Sequence, residues 1–422
     1  MENRSLSSCL ELVIDRRGVT PKKLNTDWKK EGIRVLSAKN IKSTGIINEN
    51  EIRYVDRETY KKWMKNEIEK NDILLTSEAP AGEVYLWDSD EKICVGQRLY
   101  CLRTKKDVYP RYLKYYLQSP SGQREILKYN SGSTVFGISA KTFNHINVFL
   151  PDYETQVKIG DFLYYIDKKI ETNKNILRLS NDLVEKIFNY WFVSFGHDSI
   201  RTRTYNESLG IEIPIGWNVD ILEKYINFEK GISYSSDELN NSKKDSIPMI
   251  NLASIDVNRN YNPNSLKYFK GTKKNLRKVC PGEMLIACTD LTRNAHIIGS
   301  PIIVPSTSKE FTYSMDLVKL NIDENVFDKY FMYMLLRTNN YHKYIKGFAS
   351  GTNVIHLNTD GIKWYKTIIP PLEIQQRFSK YIKDNVDISS QIINENNTLS
   401  KERDYLLPLL INGQIKLEDK IC

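Results

Sequence analysis

Two segments of the chain carry a long apolar repeat with the period of an α-helix. After Pro151 and again after Pro371, apolar residues recur at intervals of three or four, or at sums of these. A proline suits the first turn of a helix, and a period near 3.5 over about forty residues is typical of a coiled-coil seam. We therefore predict two long helices, each on the order of 60 Å in length, that pair with each other. The apolar positions are Ile159, Leu163, Ile166, Ile170, Leu177, Val184, Ile187, Phe188 and Trp191 in the first segment, and Ile374, Phe378, Ile382, Ile388, Ile392, Leu399, Leu406 and Leu410 in the second.

The residues that precede each helix follow a different pattern. Short apolar runs, such as 73–75 and 317–320, alternate with Gly, Pro, Asn and charged clusters, which is typical of many short strands. Residues 109–129 and 326–345 instead carry tyrosines and aliphatic residues three and four apart, as helices packed on a sheet would. We interpret these aromatic stripes as core rather than as a platform for stacked bases.

Matching segments recur in the two halves of the chain in the same order. Residues 131–139 (SGSTVFGIS) match 350–358 (SGTNVIHLN), and 150–156 (LPDYETQ) match 369–375 (IPPLEIQ), both at an offset of 219. Looser matches join 111–119 to 329–338, 71–82 to 281–294 and 33–42 to 247–256. This ordered series favours an internal duplication over a chance likeness between two halves rich in Lys and Asn.

The duplication and the helical repeats together predict the architecture. We expect an α+β protein in which two mixed α/β domains are separated and joined by two long, antiparallel coiled-coil helices, with an internal pseudo-two-fold repeat. The expected boundaries are 1–150 and 201–369 for the two domains, and 151–200 and 370–422 for the helical spacers.

Composition and charge narrow the class of protein. Sixty-one Lys and Arg against 52 Asp and Glu give a net charge of +9, which suits a polyanionic partner, although lysine-rich chains are often simply soluble. The six cysteines form no CxxC pair and the five histidines are scattered, so we expect neither a zinc site nor a disulfide framework. Without a long apolar run or a secretion signal, we expect a cytoplasmic location and no membrane contact.

Motifs for catalysis are missing from the sequence. There is no G-x-x-x-x-G-K-S/T loop for ATP. Residues 368–373 (IIPPLE) lack the Asn or Asp that precedes the prolines in the N-P-P-Y motif of amino methyltransferases. Residues 151–158 (PDYETQVK) resemble a nuclease motif but lack its E-x-K core and match the start of the second helix. We expect a chain with no catalytic residues, no cofactor and no metal.

A helix that starts with P-x-x-E-x-Q, found twice behind two dissimilar α/β domains, resembles the specificity subunits of type I restriction-modification enzymes. The most specific pieces are residues 369–382 (IPPLEIQQRFSKYI), 403–415 (RDYLLPLLINGQI) and 213–235. The resemblance spans essentially the whole chain. It departs in the first half, which begins almost directly at residues 16–23 (RRGVTPKK) without an equivalent of Gly216 and Trp217. A start upstream or a domain that is short at its edge would explain this departure.

The resemblance implies a sequence-specific DNA-binding subunit that reads a bipartite target, with one half-site for each domain and a spacer set by the helices. It implies three partners: double-stranded DNA, two methyltransferase subunits docked on the helical regions, and two restriction and translocation subunits in the full complex. Two alternatives stay open from the residues alone: an assembly scaffold that does not bind DNA, and a fragment of a fused restriction-modification enzyme.

We expect the DNA contacts to come from polar loops at matching places in the two halves. Base edges are read by hydrogen-bonding side chains, whereas Lys and Arg supply affinity for phosphates. The competing interpretation is that the SG-S/T loops only form turns at strand ends. In the first domain the candidates are Arg16, Arg17, Thr20, Lys22, Lys23, Thr76, Ser77, Glu78, Ser131, Ser133 and Thr134. In the second they are Lys230, Ser233, Tyr234, Thr292, Arg293, Asn294, Ser350, Thr352 and Asn353. Arginine at 293 suits guanine and asparagine at 294 or 353 suits adenine, but the sequence assigns no base to them.

Overall fold

The chain folds into two compact units that each combine one α/β domain with part of both long helices. The computed structural model describes residues 2–128, 137–196, 202–240, 246–270, 276–292, 294–304 and 310–417. The first unit comprises Met1–Ile170 with Leu399–Cys422, and the second comprises Glu171–Thr398. The fold is α+β, as the sequence predicts.

The α/β domain of the first unit is built on two small sheets. Its strands are β1 (Glu2–Ser5), β2 (Leu10–Asp15), β3 (Ile33–Leu36), β4 (Ile41–Lys42), β5 (Gly45–Ile46), β6 (Arg53–Val55), β7 (Ile73–Thr76), β8 (Val84–Leu86), β9 (Ile93–Val95), β10 (Leu99–Thr104) and β11 (Asn147–Leu150). Its helices are α1 (Leu6–Cys9), α2 (Arg57–Trp63), α3 (Pro110–Gln118) and α4 (Pro120–Lys128), followed by the long α5 (Tyr153–Phe188). The main sheet has the order β2-β10-β7-β8, and the second has the order β6-β3-β9.

The second unit continues the chain through the same kinds of element. Its strands are β12 (Arg203–Asn206), β13 (Ile211–Pro214), β14 (Asn218–Ile221), β15 (Ile226–Lys230), β16 (Ile247–Ile250), β17 (Lys267–Phe269), β18 (Lys278–Val279), β19 (Met284–Ala287), β20 (Thr289–Asp290), β21 (Pro301–Ile303), β22 (Phe311–Tyr313), β23 (Leu317–Ile322), β24 (Ala349–Ser350), β25 (Ile355–Leu357) and β26 (Lys366–Ile369). Its helices are α6 (Lys329–Leu335), α7 (Asn339–Lys346), α8 (Asp360–Lys363) and the long α9 (Leu372–Ile411).

Strand pairing repeats from one unit to the other. The order β15-β23-β19-β21 in the second unit corresponds to β2-β10-β7-β8 in the first, and β17-β16-β22 corresponds to β6-β3-β9. Each of the sheets β6-β3-β9 and β17-β16-β22-β18 contains one parallel pair, β3 with β9 in the first unit and β16 with β22 in the second. The pair β14 with β26 likewise repeats β1 with β11. These correspondences confirm the duplication that the sequence predicts.

The two long helices run antiparallel in both units. In the first unit, Arg403 of α9 donates to Asp167 of α5 at 2.6 Å. In the second, Asn173 of α5 donates to Glu395 at 2.7 Å, and the ring of Phe188 lies 5.5 Å from that of Phe378. The residue number on α9 falls as that on α5 rises. After Phe188, α5 ends in one turn of π-helix over Asn189–Val193.

The glutamine of the repeated P-x-x-E-x-Q motif fixes the start of each long helix. Gln156 accepts from the backbone N–H of Tyr109 at 2.9 Å and donates to the carbonyl of Pro151 at 3.0 Å. Gln375 accepts from the N–H of Asp328 at 2.9 Å and donates to the carbonyl of Pro370 at 2.7 Å. Both side chains are buried, so each satisfies backbone groups that the start of α3 or α6 would otherwise leave unpaired.

In the first unit, a buried polar network centred on Asp167 ties the long helices to α3. Asp167 accepts from Lys114 at 2.8 Å, Tyr115 at 2.5 Å and Arg403 at 2.6 Å. Burial lowers the pKa of Lys114 to about 8. Burial also acts to raise the pKa of Asp167, but Lys114, Tyr115 and Arg403 outweigh it, so that pKa lies below its ordinary value. At the offset of 219, the second unit carries Tyr333, Met334, Val386 and Val184 instead.

Candidate nucleic-acid interface

In the second unit, a three-stranded sheet joins two of the loops that the sequence singles out. The sheet has the order β20-β25-β24. Thr289 of β20 and Ser350 of β24 both pair with His356 of β25. The loop after β20 and the loop between β24 and β25 therefore leave the sheet side by side. The candidates Thr292, Asn294, Ser350, Thr352 and Asn353 are all exposed there, whereas Arg293 lies outside the described residues.

A buried carboxylate shapes the first of these loops. Asp290 is fully buried, and it accepts from the backbone N–H and the hydroxyl of Thr292 and from the N–H of Ile297, each at 2.7 Å. The loop therefore closes around Asp290. Because the Thr292 hydroxyl donates inward, Asn294 is the described polar side chain at the tip that is free to face a ligand.

The segment with Lys230, Ser233 and Tyr234 reaches the same edge through backbone hydrogen bonds. Met315 N–H donates to Ile232 O, Cys288 N–H donates to Asp316 O, and Leu357 N–H donates to Cys288 O, each at 2.8 Å. Lys230 and Ser233 are exposed. The hydroxyl of Tyr234 accepts from Lys267 at 2.9 Å. All three described parts of the predicted surface in the second unit are thus brought together.

The first unit repeats this arrangement with a shorter loop. Glu78 forms an antiparallel β-bridge with Gly137, in the same way that Thr289 pairs with His356 in the second unit. The loop is closed by a hydrogen bond from Gly82 N–H to Thr76 O at 3.0 Å, and in the second unit by one from Gly299 N–H to Ala287 O at 2.8 Å. Five residues (77–81) lie between the closing residues in the first unit and eleven (288–298) in the second. The candidates Ser131, Ser133 and Thr134 lie outside the described residues.

Two candidates of the first unit lie in the core. Thr76 and Ser77 are fully buried. The hydroxyl of Thr76 donates to Pro80 O at 2.7 Å and accepts from Glu83 N–H at 2.9 Å. The Thr76 hydroxyl therefore holds the loop in shape, whereas Ser77 is held through its backbone, which pairs with Arg98 and Ile138. We leave both residues out of the interface proposed below. Glu78 is partly exposed and pairs with Arg98 at 3.1 Å.

The basic stretch at 16–23 presents only some of its charges freely. Arg17 donates twice to Asp15, at 2.9 and 2.8 Å, and lies 4.1 Å from the centre of the Tyr100 ring. This hydrogen bond with Asp15 raises the pKa of Arg17. Lys23 donates to Gly18 O at 2.7 Å, while Lys22 is exposed. Arg16 is partly buried, and its Nε lacks a hydrogen-bond partner.

A cleft of about 280 Å³ brings two candidate loops of the first unit together. Thr20 and Ala79, one from each loop, line it. The motifs of the sequence did not predict its other polar and aromatic walls, which include Trp28, Lys39, Asn40, Glu51, Arg53, Gln97 and Arg98. Trp28 is 39% exposed, and the guanidinium of Arg53 lies 5.0 Å from its ring. The short polar run Gln97-Arg98 between buried strands β9 and β10 is the signal that could have found this cleft.

The described part of the chain has the features of neither a metal site nor a membrane-spanning helix. Over those residues, His, Cys, Asp and Glu side chains form no group of three that could hold a metal ion. None of the helices described is long and apolar enough to cross a membrane.

Comparison with known proteins finds this architecture elsewhere. The family profile described as type I restriction modification DNA specificity domain matches residues 1–179. The MjaIX specificity subunit of Methanocaldococcus jannaschii is 30% identical over 371 residues, which cover 83% of this chain and 79% of that protein. The HindI specificity subunit of Haemophilus influenzae is 22% identical over 416 residues, which cover 83% and 88%.

A solved structure shows the same fold. The crystal structure of a type I restriction-modification S subunit from M. genitalium superposes with a TM-score of 0.65 at 16% identity, and covers 97% of this chain and 95% of its own. Together with the relatives this confirms the resemblance stated from the motifs. The chain belongs to the family of specificity subunits of type I restriction enzymes.

Proposed function

We propose that this specificity subunit reads a bipartite DNA target, with one half-site for each unit. The observation that carries the proposal is the duplication itself. Each unit places a loop after one sheet strand beside a second loop, at Glu78 with Gly137 and at Thr289 with His356. The loop 77–81 of the first unit and the corresponding loop 288–298 of the second differ in length and in polar residues. Because base edges are distinguished by the donors and acceptors that meet them, two different loops read two different half-sites.

Within this proposal, the exposed residues of the two surfaces divide the work. In the second unit Asn294, Thr352, Asn353 and Lys230 are exposed; the first three would reach base edges, and Lys230 would supply charge for phosphates. In the first unit Gln97, Arg98 and Lys39 line the cleft between the candidate loops, and Lys22 is exposed on the loop that carries Thr20. DNA would enter the cleft from its open side and displace water from these polar groups.

The proposed partners include a methyltransferase subunit docked on the long helices. Ile176, Leu179, Leu183 and Tyr190 of α5 are spaced by three, four and seven residues, so they share one face of the helix. Between 45% and 58% of each side chain is exposed. We call this the α5 stripe. An apolar stripe of this width on a helix is buried in a stable assembly, and a helix of the methyltransferase would cover it.

The finer points of the assembly follow from the same family. Two methyltransferase subunits and, for cleavage, two restriction subunits would supply the chemistry, because this chain carries no catalytic motif of its own. The spacer between half-sites would be set by α5 and α9. The complex would act on chromosomal DNA in the cytoplasm.

The test is to coexpress the chain with the methyltransferase encoded beside it and to map methylated adenines in the host DNA by single-molecule sequencing. We expect one two-part motif with a fixed gap. A stable complex that methylates no new motif would contradict the proposal and favour an assembly scaffold.

Salt dependence gives an independent check on DNA binding. A protein that neutralises several phosphates loses affinity steeply as salt rises, with a slope of about −0.9 for each phosphate. We expect a slope of this kind in titrations of the complex with duplex DNA. A scaffold held to its partner through an apolar interface would show almost none.

A further inference from the structure

Four basic side chains gather beside the reading loop of the second unit. Arg337, at the end of α6, donates to the carbonyl of Arg259 and to Asn260 Oδ1, the latter at 3.0 Å. His342 and Lys346 follow on α7. We call Arg259, Arg337, His342 and Lys346 the basic cluster. A Cβ added at Gly299, the last residue of the loop, would lie 2.9 Å from Ile345 Cγ1, so the loop packs directly on α7.

The basic cluster has no acidic partner among the described residues. No carboxylate there forms an ion pair with Arg259, Arg337 or Lys346. Asp290, whose charge acts on His342, accepts hydrogen bonds from its own loop, and Glu185 acts on Arg259 through its charge. All four basic side chains are partly exposed, so an ion from solution could reach them.

Two polar atoms of the basic cluster are left unsatisfied. Arg259 Nη1 and His342 Nδ1 are buried and lack a hydrogen-bond partner. Burial, followed by the positive charges of Arg259, Lys346 and His296, lowers the pKa of His342 to about 4. Arg259 Nη1 is a donor that no protein group satisfies, so an anion towards which the guanidinium turned would supply the missing acceptor.

The first unit shows that the fold does not need the charges of Arg337 and Lys346 or the imidazole of His342. At the offset of 219, Arg337, His342 and Lys346 correspond to Gln118, Gln123 and Leu127. Gln118 donates to Ser43 O at 3.2 Å and to Val84 O at 2.7 Å, and Gln123 donates to Gly82 O at 2.8 Å and to Leu117 O at 2.7 Å. Neutral residues therefore hold the equivalent turn and helix, with every described amide donor engaged.

The geometry points to a site for one backbone phosphate of the DNA, held by Arg259, Arg337, His342 and Lys346 next to the loop 289–297. This inference rests on the proposed function and names a contact within it. Guanidinium groups match phosphate oxygens in shape and charge. DNA that is bound at the neighbouring loop would bring its own backbone phosphates next to the basic cluster. Such a contact adds affinity and fixes position, but it does not discriminate between sequences.

The test compares two variants of the subunit in complex with its methyltransferase. One carries R259N, H342Q and K346L, which removes two permanent charges and restores the first unit's residues on α7; asparagine tolerates the φ of +65° at position 259. The control carries K343Q and K366Q, which remove two charges at exposed positions outside the basic cluster. Affinity is measured by fluorescence anisotropy on a target duplex and a scrambled duplex over a KCl series.

We expect the first variant to bind both duplexes roughly tenfold more weakly, with a salt slope shallower by about 0.9 and an unchanged methylated motif. The control should keep the slope of the unaltered subunit. Target duplexes in which single phosphates are replaced by neutral methylphosphonates locate the contact. The unaltered subunit should lose affinity at one position in the second half-site, and the cluster variant should lose nothing further there.

Three results would overturn the inference. The first is a cluster variant that matches the unaltered subunit in affinity and slope. The second is a result in which inorganic phosphate protects the unaltered subunit from heat but does not protect the variant, while both bind DNA equally well. This result would make the basic cluster a site for a free anion. The third is an unaltered complex that binds no duplex, and this result alone also removes the proposed function.

Discussion

At the scale of single residues, the interface depends on buried groups that hold exposed ones in place. Asp290 reaches no solvent, yet it determines the path of the loop that presents Asn294. Arg98, in contrast to Asp290, is exposed and lines the cleft. Its φ is +59°, and its guanidinium forms an ion pair with Glu78. Substitutions at these two positions therefore test two different contributions to reading.

Replacing Asp290 with Asn should weaken reading of one half-site only. The amide keeps one acceptor oxygen but turns a donor toward N–H groups, so at least one buried donor loses its partner, at about 1–3 kcal/mol. Methylome mapping should show relaxed specificity in the half-site of the second unit and an unchanged first half. An unaltered motif at full methylation would show that the loop does not read DNA.

Replacing Arg98 with Gln should affect the other half-site. An arginine that contacts a base edge contributes about 1–3 kcal/mol of discrimination. The matched control is Arg124→Gln, an arginine on the exposed part of α4 in the same unit. We expect R98Q to relax one position of the first half-site in the methylome and R124Q to leave it intact; equal effects would refute a specific role for Arg98.

The sequence predicted loops that the fold brings side by side, but not which of their residues are exposed. Repeated loops were visible because the two halves share a pattern. Ser77 pairs through its backbone with residues 98 and 138, which lie far away in sequence, so its burial could not be predicted from the local pattern. The cleft walls Trp28 and Arg53 come from separate segments and share no motif, so only the folded chain shows that they meet.

At the scale of secondary-structure elements, the chain shows two solutions to the same packing problem. The first unit joins α3, α5 and α9 through Asp167 and its three donors, while the second unit places Tyr333, Met334, Val386 and Val184 at the equivalent positions. Removing one member of a buried ion pair strands the other charge, whereas replacing the whole set with apolar residues is often neutral.

We therefore expect Asp167→Val alone to lower the free energy of unfolding by about 3–5 kcal/mol. The variant K114Y/Y115M/D167V/R403V, which installs the residues of the second unit, should recover most of that loss. Urea unfolding followed by tryptophan fluorescence measures both. A quadruple variant as unstable as D167V would show that the network has no apolar substitute in this context.

The same network predicts a dependence of stability on acid. The pKa of Asp167 is lowered from its ordinary value of 3.8 in the folded chain, so its carboxylate contributes stability that is present above about pH 4 and is lost as pH falls through the lowered pKa. The quadruple variant lacks this carboxylate. Its free energy of unfolding should therefore fall less than that of the unaltered chain between about pH 4 and pH 2; parallel curves would contradict this assignment.

Helices and duplication could be predicted because their signals are local or periodic. The apolar period predicted both long helices, and the matching segments of the two halves predicted the duplication. The pairing of β1 with β11 joins Glu2 to Leu150, and short strands of three or four residues carry too little periodicity to reveal such a partner. The π-helical turn at the end of α5 likewise depends on aromatic packing of Phe192 against Phe331 and Phe378.

At the scale of the whole molecule, the proposed function treats the two units as exchangeable modules. Replacing residues 1–150 with those of another specificity subunit should change one half of the methylated motif and leave the other half and the gap unchanged. The exchange should be stable only when the donor domain supplies hydrogen-bond donors for Asp167, as Lys114 and Tyr115 do here. A change in both halves would show that the units do not read independently.

The course of the chain also sets the order in which the protein can be completed during synthesis. Leu410 and Ile411 pack in the same core as Leu113 and Leu163 of the first unit, so the domain made first keeps an apolar surface open until the ribosome has passed residue 411. At about 5–20 residues per second, the wait after residue 170 is on the order of ten to fifty seconds. The nascent first domain is therefore a natural client for chaperones, and its solubility in the cell should depend on translation speed in the second half of the gene.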